Sequence, residues 1–171
     1  MVAPSMPPTG VMPAGAKPKM DWVHTVVPVG AGAEGFDVAP DDSVLWTIRP
    51  DGVIAIVNTK TARVIANIDT GLIGGHRLQF TPDGKRVMAV SVKSGIVMVF
   101  DAASHALVKQ LTTGHAAGLY TDRQGGRAFV SCTPDRFVAV IDLATLTETA
   151  RIPVARPDGI AIVNRAPETS K

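Results

Sequence analysis

The stretch VLWTIRPDGVIAIVNTKTARVIANIDTG, residues 44–71, decides the fold because the chain repeats its pattern twice. The pattern recurs as VMAVSVKSGIVMVFDAASHALVKQLTTG, residues 87–114, and as AFVSCTPDRFVAVIDLATLTETARIPVA, residues 128–155. The copies start at nearly even intervals along the chain. A shorter match precedes each copy: FDVAPDD from Phe36, LQFTPDG from Leu78 and the weaker GLYTDRQGG from Gly118. The repeating unit is therefore a little over forty residues long.

Each unit is predicted to contain four short β-strands. Its segments are rich in Val, Ile and Phe and are bounded by Gly, Pro, Asp or Asn, and no segment shows a sustained helical stripe. The Pro-Asp-Gly phrases at 50–52 and 82–84 suit tight hairpin turns. In the first unit we place the strands near residues 35–39, 44–48, 53–57 and 63–69.

The turn between the last two strands of each unit carries the most regular motif. An Asn or Asp stands three residues before a hydroxyl residue, as in Asn58 and Thr61, Asp101 and Ser104, and Asp142 and Thr145. Such a side chain can accept hydrogen bonds from the backbone N–H groups of its own turn. The motif therefore predicts a locked turn.

A unit of four antiparallel strands and about 40 to 45 residues is typical of one β-propeller blade. We therefore predict an all-β fold, a partial β-propeller of four-stranded antiparallel blades. Three full blades are expected at approximately 31–71, 72–114 and 115–155. WVHTVVPVG, residues 22–30, aligns with the last strand of a unit and predicts one more outer strand, and residues 159–163 predict one more inner strand.

The ends of the chain have a different composition. Residues 1–21 are rich in Pro, Ala and Gly and lack the pattern of a signal peptide, so we expect a flexible tail before a propeller at 22–164. Residues 165–171 form the expected C-terminal tail. Because propellers typically close with four to eight blades, the predicted arc is open. It is expected to be either part of a longer propeller or a subunit that closes a ring as a homodimer.

The repeats resemble those of the YVTN-family propellers. The similarity rests on the phrases EGFDVAPDD and PDGIAIV, on the Asn or Asp that leads into a V-x-x-x-I-x-x-G exit, and on the spacing. It covers residues 22–164, although the second strands, such as VLWTI at 44–48, lack the Asn of the family. The family includes surface proteins, secreted binders and relatives of lactonases and haem-carrying reductases. The resemblance therefore implies the fold and a periplasmic or extracellular location, without fixing an activity.

Composition narrows the classes of partner and cofactor. The chain is 46% hydrophobic and 19% charged, with a net charge of +2. This composition lacks the excess of basic residues that is typical of a nucleic-acid-binding surface. No membrane segment, metal motif or cofactor motif is recognised, and we predict no cofactor. The single cysteine, Cys132, lies in a predicted strand and is expected to be buried and inert.

The candidate site lies where the chain passes from one blade to the next. In a propeller these connections run toward the central channel, so residues distant in sequence can converge at its mouth. The candidate ligand-binding residues are Glu34, His76, Arg77, His115, Arg156 and Asp158. His and carboxylate groups together can ligate a metal or carry protons, and Arg can bind an anion.

Two functions remain open at this stage. The first is a non-catalytic binding or scaffold module that presents inter-blade loops to a protein or small ligand. The alternative is part of a propeller enzyme, lactonase-like or cofactor-carrying, with its site at the channel mouth. We identify no catalytic residue.

Overall fold

A computed structural model describes residues 24–122, 124 and 126–161. The expected tails at 1–21 and 165–171 lie outside these residues. Within the described part of the chain, no helix has the length and hydropathy needed to cross a membrane.

The described residues form three four-stranded sheets. The twelve strands are β1 (Gly35–Val38), β2 (Val44–Ile48), β3 (Val53–Asn58), β4 (Arg63–Asp69), β5 (Gly75–Phe80), β6 (Arg86–Ser91), β7 (Ile96–Asp101), β8 (Leu107–Thr112), β9 (Ala116–Thr121), β10 (Arg127–Cys132), β11 (Phe137–Asp142) and β12 (Thr147–Pro153). Each strand pairs antiparallel with the next one in its own sheet. We call the sheets blades 1, 2 and 3, and the propeller architecture predicted from the repeats is confirmed.

The terminal strands expected at 22–30 and 159–163 are not seen in their described parts. Residues 24–30 and 159–161 have no strand assignment, and the remaining positions lie outside the described residues. A lone strand needs a paired neighbour to complete its backbone hydrogen bonds. Neither segment belongs to one of the three sheets.

The structural register corrects the alignment of the second strands. That alignment matched Val44 with Val87 and Ala128, but the closing hydrogen bonds of the first turns match Val44 with Arg86 and Arg127. The cause is the hairpin between the second and third strands, which is one residue shorter in blade 1 than in the other blades. The outermost residue pair of this hairpin is Val44 with Asn58 in blade 1, Arg86 with Asp101 in blade 2, and Arg127 with Asp142 in blade 3.

The inner strands β1, β5 and β9 contact one another in order, and two hydrophobic cores lie between the blades. The core between blades 1 and 2 is formed by Ala39, Trp46, Ile48, Ile54, Ile56, Leu72, Leu78, Phe80, Val87, Ala89, Met98 and Phe100. The core between blades 2 and 3 is formed by Met88, Val90, Val97, Val99, Ala116, Leu119, Ala128, Val130, Cys132, Ala139, Ile141, Leu143 and Leu146. Alternate residues of blade 2 enter the two cores, since successive side chains of a strand point to opposite faces.

Two aromatic residues at equivalent positions of the second strands differ in their surroundings. Trp46 is fully buried between blades 1 and 2, in edge-to-face contact with Phe80 at 5.9 Å between ring centroids. Phe129 occupies the matching position in blade 3 but is only partly buried, because no described blade covers that face. The guanidinium of Arg127 lies 5.6 Å from the centroid of its ring.

Candidate functional site

The connections that leave the blades follow one repeated path. After its fourth strand, each blade directs the chain across its own second turn, where a backbone N–H donates to a carbonyl oxygen. The three bonds are Thr70 to Gly52 at 3.2 Å, Thr113 to Gly95 at 2.9 Å and Val154 to Arg136 at 3.1 Å. The connections therefore lie on one face of the arc, and the first two lead into the inner strands β5 and β9 of the next blades.

At the end of this path, three residues occupy equivalent positions at the start of the inner strands β1, β5 and β9. The repeated inner-strand pattern equates Glu34, His76 and Ala117, because each stands two residues before Phe36, Leu78 or Leu119. Asp158 follows at the next repeat interval. We call Glu34, His76, Ala117 and Asp158 the mouth ring.

Two glycines hold neighbouring members of the mouth ring close together. A Cβ on Gly35 would collide with the carbonyl oxygen of His76, and a Cβ on Gly118 would collide with the carbonyl oxygen of Asp158. The repeat of this contact supports the placement of Asp158 as the equivalent of His76. The absence of a side chain at both glycines is what permits this approach of the backbones.

His76 is the central side chain of the ring. It lies in a β-bulge, since the register of β5 on β6 shifts between Gly75 and Arg77, and bulges redirect side chains. Its Nδ1 lies 2.9 Å from the carbonyl oxygen of Ala117, and its Nε2 lies 3.2 Å from Oε2 of Glu34. The His76 side chain therefore links all three blades, and it is 20% exposed.

Glu34 and Arg77 complete a small polar cluster with His76. Nη1 of Arg77 lies 3.7 Å from Oε1 of Glu34 and donates to the carbonyl oxygen of His76 at 3.3 Å. The Glu34 side chain is 57% exposed. One carboxylate from blade 1 thus bridges two basic side chains of blade 2, and this cluster of three is open to solvent.

The loop that carries Glu34 is fastened to blade 1. Arg49 donates from Nη1 to the carbonyl oxygen of Val29 at 3.3 Å and pairs through Nη2 with Oδ2 of Asp51 at 2.7 Å. The side-chain hydrogen bonds from Arg49, together with the backbone N–H of Val53, lower the pKa of Asp51. The loop before β1 is thereby positioned on the same face as the mouth ring.

The other candidate residues lie near the mouth but outside this cluster. His115 and Arg156 precede ring positions by two residues. The backbone N–H of His115 donates to Oδ2 of Asp135 at 2.6 Å, and its Nδ1 lies 3.2 Å from the same oxygen. Arg156 is exposed and lines an open cleft of about 630 Å³ with Thr133, Pro134, Arg136 and Ala155. The structure therefore brings Glu34, His76 and Arg77 together and places His115 with Asp135.

Sequence reasoning missed two contributors to this site. Asp135 was not considered, although its Pro-Asp phrase repeats that of Pro50 and Asp51 in blade 1. Ala117 was not considered because it acts through its backbone carbonyl, which no side-chain motif reveals. Its position one repeat length after His76 could have located it.

Grouped metal ligands and an accessible thiol are both lacking among the described residues. Across 24–122, 124 and 126–161, no three His, Cys, Asp or Glu side chains are grouped as metal ligands. Cys132 is buried, as expected, and desolvation, followed by the nearby Asp135 carboxylate, raises the pKa of its thiol to about 12. The thiol is therefore protonated at neutral pH and a poor nucleophile.

A second cleft lies at the opposite ends of the inner strands. It has a volume of about 670 Å³ and a mainly polar lining that includes Asp37, Asp42, Gln79, Tyr120 and Thr121. The side-chain oxygens of Asp37 and Gln79 accept hydrogen bonds from backbone N–H groups of the neighbouring blade. Two of the polar side chains that line this cleft therefore hold adjacent blades together.

Solved structures with the same architecture include proteins of different kinds. The chain resembles the WD40 repeats of RRP9 (TM-score 0.62, 22% identity, 71% of this chain and 38% of that one). It also resembles a Kuenenia stuttgartiensis hydrazine synthase structure (0.68, 21%, 82% and 40%). A third similar structure is a Bacteroides fragilis protein provisionally assigned as a 6-phosphogluconolactonase (0.69, 20%, 79% and 43%).

These similarities show the fold alone, because the sequence identities are low. The chain spans about two fifths of the length of each protein. No family model and no curated protein matches the sequence. The chain therefore has a WD40-like β-propeller fold, one shared by repeat domains and by enzymes.

Proposed function

We propose that this chain is a non-catalytic binding module that presents its mouth ring and the adjoining inter-blade loops to a ligand. The observation that carries the proposal is the cluster of Glu34, His76 and Arg77, which two blades bring together on an open surface. Strand β5 carries His76 and Arg77, the loop before β1 carries Glu34, and all three side chains are at least partly accessible. Such preorganised polar groups favour recognition because little is lost on ordering them.

The rival function is part of a propeller enzyme. The specific observation that favours it is the His76 imidazole beside the Glu34 carboxylate, in a fold shared with a protein provisionally assigned as a 6-phosphogluconolactonase. A carboxylate that orients a histidine is a common arrangement for general acid–base catalysis. The arrangement also serves as an ordinary ion pair, so the chemistry must be tested directly.

The test compares the purified protein with His76→Ala in a lactone-hydrolysis assay, together with elemental analysis for bound metal. The binding module is expected to contain no stoichiometric metal and to hydrolyse lactone no faster than His76→Ala. His105→Ala is a matched control, since His105 is in the turn after β7 and contacts Trp46 rather than the mouth. Stoichiometric metal, or hydrolysis that is lost in His76→Ala and retained in His105→Ala, would favour the enzyme.

A further inference from the structure

We infer that His76 of the mouth ring and the adjoining Arg77 recognise a carboxylate, and that Glu34 occupies the position that the carboxylate of the ligand takes on binding. This inference rests on the proposed binding function and specifies its ligand class. Glu34 belongs to the loop before β1, whereas both of its basic partners belong to β5. The carboxylate thus reaches these partners from outside the strand that carries them, as a ligand would.

The contacts of His76 define one half of the recognition site. Both of its ring nitrogens face oxygen atoms that only accept hydrogen bonds, the carbonyl of Ala117 and the carboxylate of Glu34. Each ring nitrogen can therefore take part in its contact only as a hydrogen-bond donor. The Ala117 contact fixes the ring orientation, so Nε2 remains directed at whichever carboxylate occupies the position of Glu34.

Arg77 supplies the other half. Its guanidinium lies 3.7 Å from the second oxygen of Glu34, so one carboxylate spans the two basic groups. The guanidinium carries five N–H donors, and its Nη1 contact with the carbonyl oxygen of His76 restrains its position. A carboxylate bound in this position lies beside Nε2 of His76 and the Arg77 guanidinium, and charge-assisted hydrogen bonds from a guanidinium are stronger than neutral ones.

Glu34 is suited to displacement. Its side chain is more than half exposed, and exposed ion pairs contribute little to stability. Moving it aside uncovers no hydrophobic core, because Glu34 belongs to neither core cluster. An incoming carboxylate therefore exchanges for Glu34 at small cost and keeps the same two partners.

The experiment measures binding of two carboxylate probes by calorimetry, citrate as a small anion and a hexaglutamate peptide as an acidic chain. Replacing Glu34 by Gln removes the competing charge while preserving its size. We expect Glu34→Gln to bind more tightly by about two- to fivefold, the range given by the energies of exposed ion pairs. His76→Ala and Arg77→Ala are expected to weaken binding of the same probe.

Glu148→Gln is the matched control. Glu148 is an ion-paired glutamate on β12, whose partner is Arg151 at 2.5 Å, and it takes no part in the mouth ring. Its replacement makes the same change in net charge and is expected to leave probe affinity unchanged. An equal gain in both Gln variants would show a general charge effect and overturn the inference.

The remaining outcomes separate the ligand sources and the two proposals. Tighter binding of citrate alone identifies a small anion, and tighter binding of the peptide alone identifies an acidic segment of a partner. Unchanged affinity in Glu34→Gln, or no binding of either probe to wild type and Glu34→Gln, overturns the inference. Neither result bears on the lactone assay, whose outcome decides the binding function independently.

Discussion

A single side-chain oxygen closes the last turn of every blade. In blade 1, Oδ1 of Asn58 accepts from the backbone N–H groups of Lys60 and Thr61 at 3.1 and 2.9 Å and from the Thr61 hydroxyl at 3.1 Å. Asp101 and Asp142 make the same three contacts in blades 2 and 3. The locked turn predicted from the sequence is confirmed, and the comparison shows that it forms with or without a charge.

The two aspartates make these turns sensitive to acid. Hydrogen bonds from the backbone N–H and hydroxyl of Ser104 lower the pKa of Asp101, and those of Thr145 do the same for Asp142. A carboxyl whose folded pKa is lowered stabilises the fold above its unfolded pKa of about 3.9. That contribution is lost as the pH falls through the lower, folded pKa.

We predict that the double replacement of Asp101 and Asp142 by Asn reduces the acid sensitivity of the protein. Asn keeps the accepting oxygen, as Asn58 shows, but has no proton equilibrium. Urea unfolding at pH 7 and pH 3 measures the effect: the loss of unfolding free energy between these pH values is expected to be smaller in the variant. An unchanged loss would show that other carboxylates govern the acid response.

Residue spacing accounts for most of what could be foreseen about the candidate site. Glu34, His76 and Asp158 were placed at the mouth because they lie in connections between blades, and whole numbers of repeats separate them. The pairing of His115 with Asp135 could not be foreseen. It depends on how far the second turn of blade 3 folds back toward the connection, which is a property of packing rather than of spacing.

At the scale of strands, a polar latch joins the inner strands of adjacent blades. One oxygen of Asp37 accepts from the N–H of Val38 on its own strand, and the other accepts from the N–H of Phe80 on β5, both at 2.9 Å. Oε1 of Gln79, at the equivalent position in blade 2, accepts from the N–H of Thr121 on β9 at 2.7 Å. The latch supplements the hydrophobic cores by fixing the inner strands relative to each other.

We predict that Asp37→Ala destabilises the protein by about 1 to 3 kcal/mol, the usual cost of removing a charged acceptor from partly buried donors. Asp37→Asn retains one accepting oxygen and is expected to fall between wild type and Ala. Urea unfolding at neutral pH measures both. Glu148→Ala, which removes a carboxylate from an outer strand, is the control for the change in charge. An unfolding free energy for Asp37→Ala equal to that of the wild type would contradict the latch.

Strand type and number followed from the repeats, but strand register did not. The strands expected in the first unit are observed to within one residue, because their turns are marked by Pro, Asp and Gly. Alignment across blades failed by one residue in the second strands. A one-residue difference in hairpin length preserves the alternation of apolar and polar residues but shifts which residues are equivalent between blades. Sequence similarity alone therefore could not detect the difference.

At the scale of the whole molecule, the two end blades present faces of the kind that elsewhere pack against another blade. Leu78 is 2% exposed because it packs against the preceding blade, whereas Phe36, its equivalent in blade 1, is 66% exposed. On the far side of blade 3, Ile152 is 46% exposed. Large apolar side chains exposed on such a face are candidates for an interface.

We predict that the chain self-associates through these end faces, with a solution mass above its 17.9 kDa. Light scattering after size exclusion measures the mass, and a discrete dimer is expected if two arcs close one ring. Phe36→Ser is expected to lower the associated fraction. Ile73→Ser, which alters an apolar residue of similar exposure (54%) in the loop before β5, is expected not to do so.

A monomeric mass over the accessible concentration range would contradict this prediction. So would equal effects of Phe36→Ser and Ile73→Ser, since the association would then not depend on the end face of blade 1. A series of aggregates of increasing mass that is unchanged in Phe36→Ser would likewise exclude a specific contact at that face.

The mouth ring also bears on how such a protein can evolve. Each ring position stands at the start of one repeat, and none of Glu34, His76, Ala117 and Asp158 belongs to the cores of the fold. Most destabilising mutations act through cores, caps and buried polar groups. In the proposed binding role, substitutions at the exposed ring positions Glu34 and Asp158 would change the ligand contacts one position at a time without removing core packing. Duplication of a blade would add one more ring position. The residues that contact a ligand could then change independently of the residues that stabilise the fold.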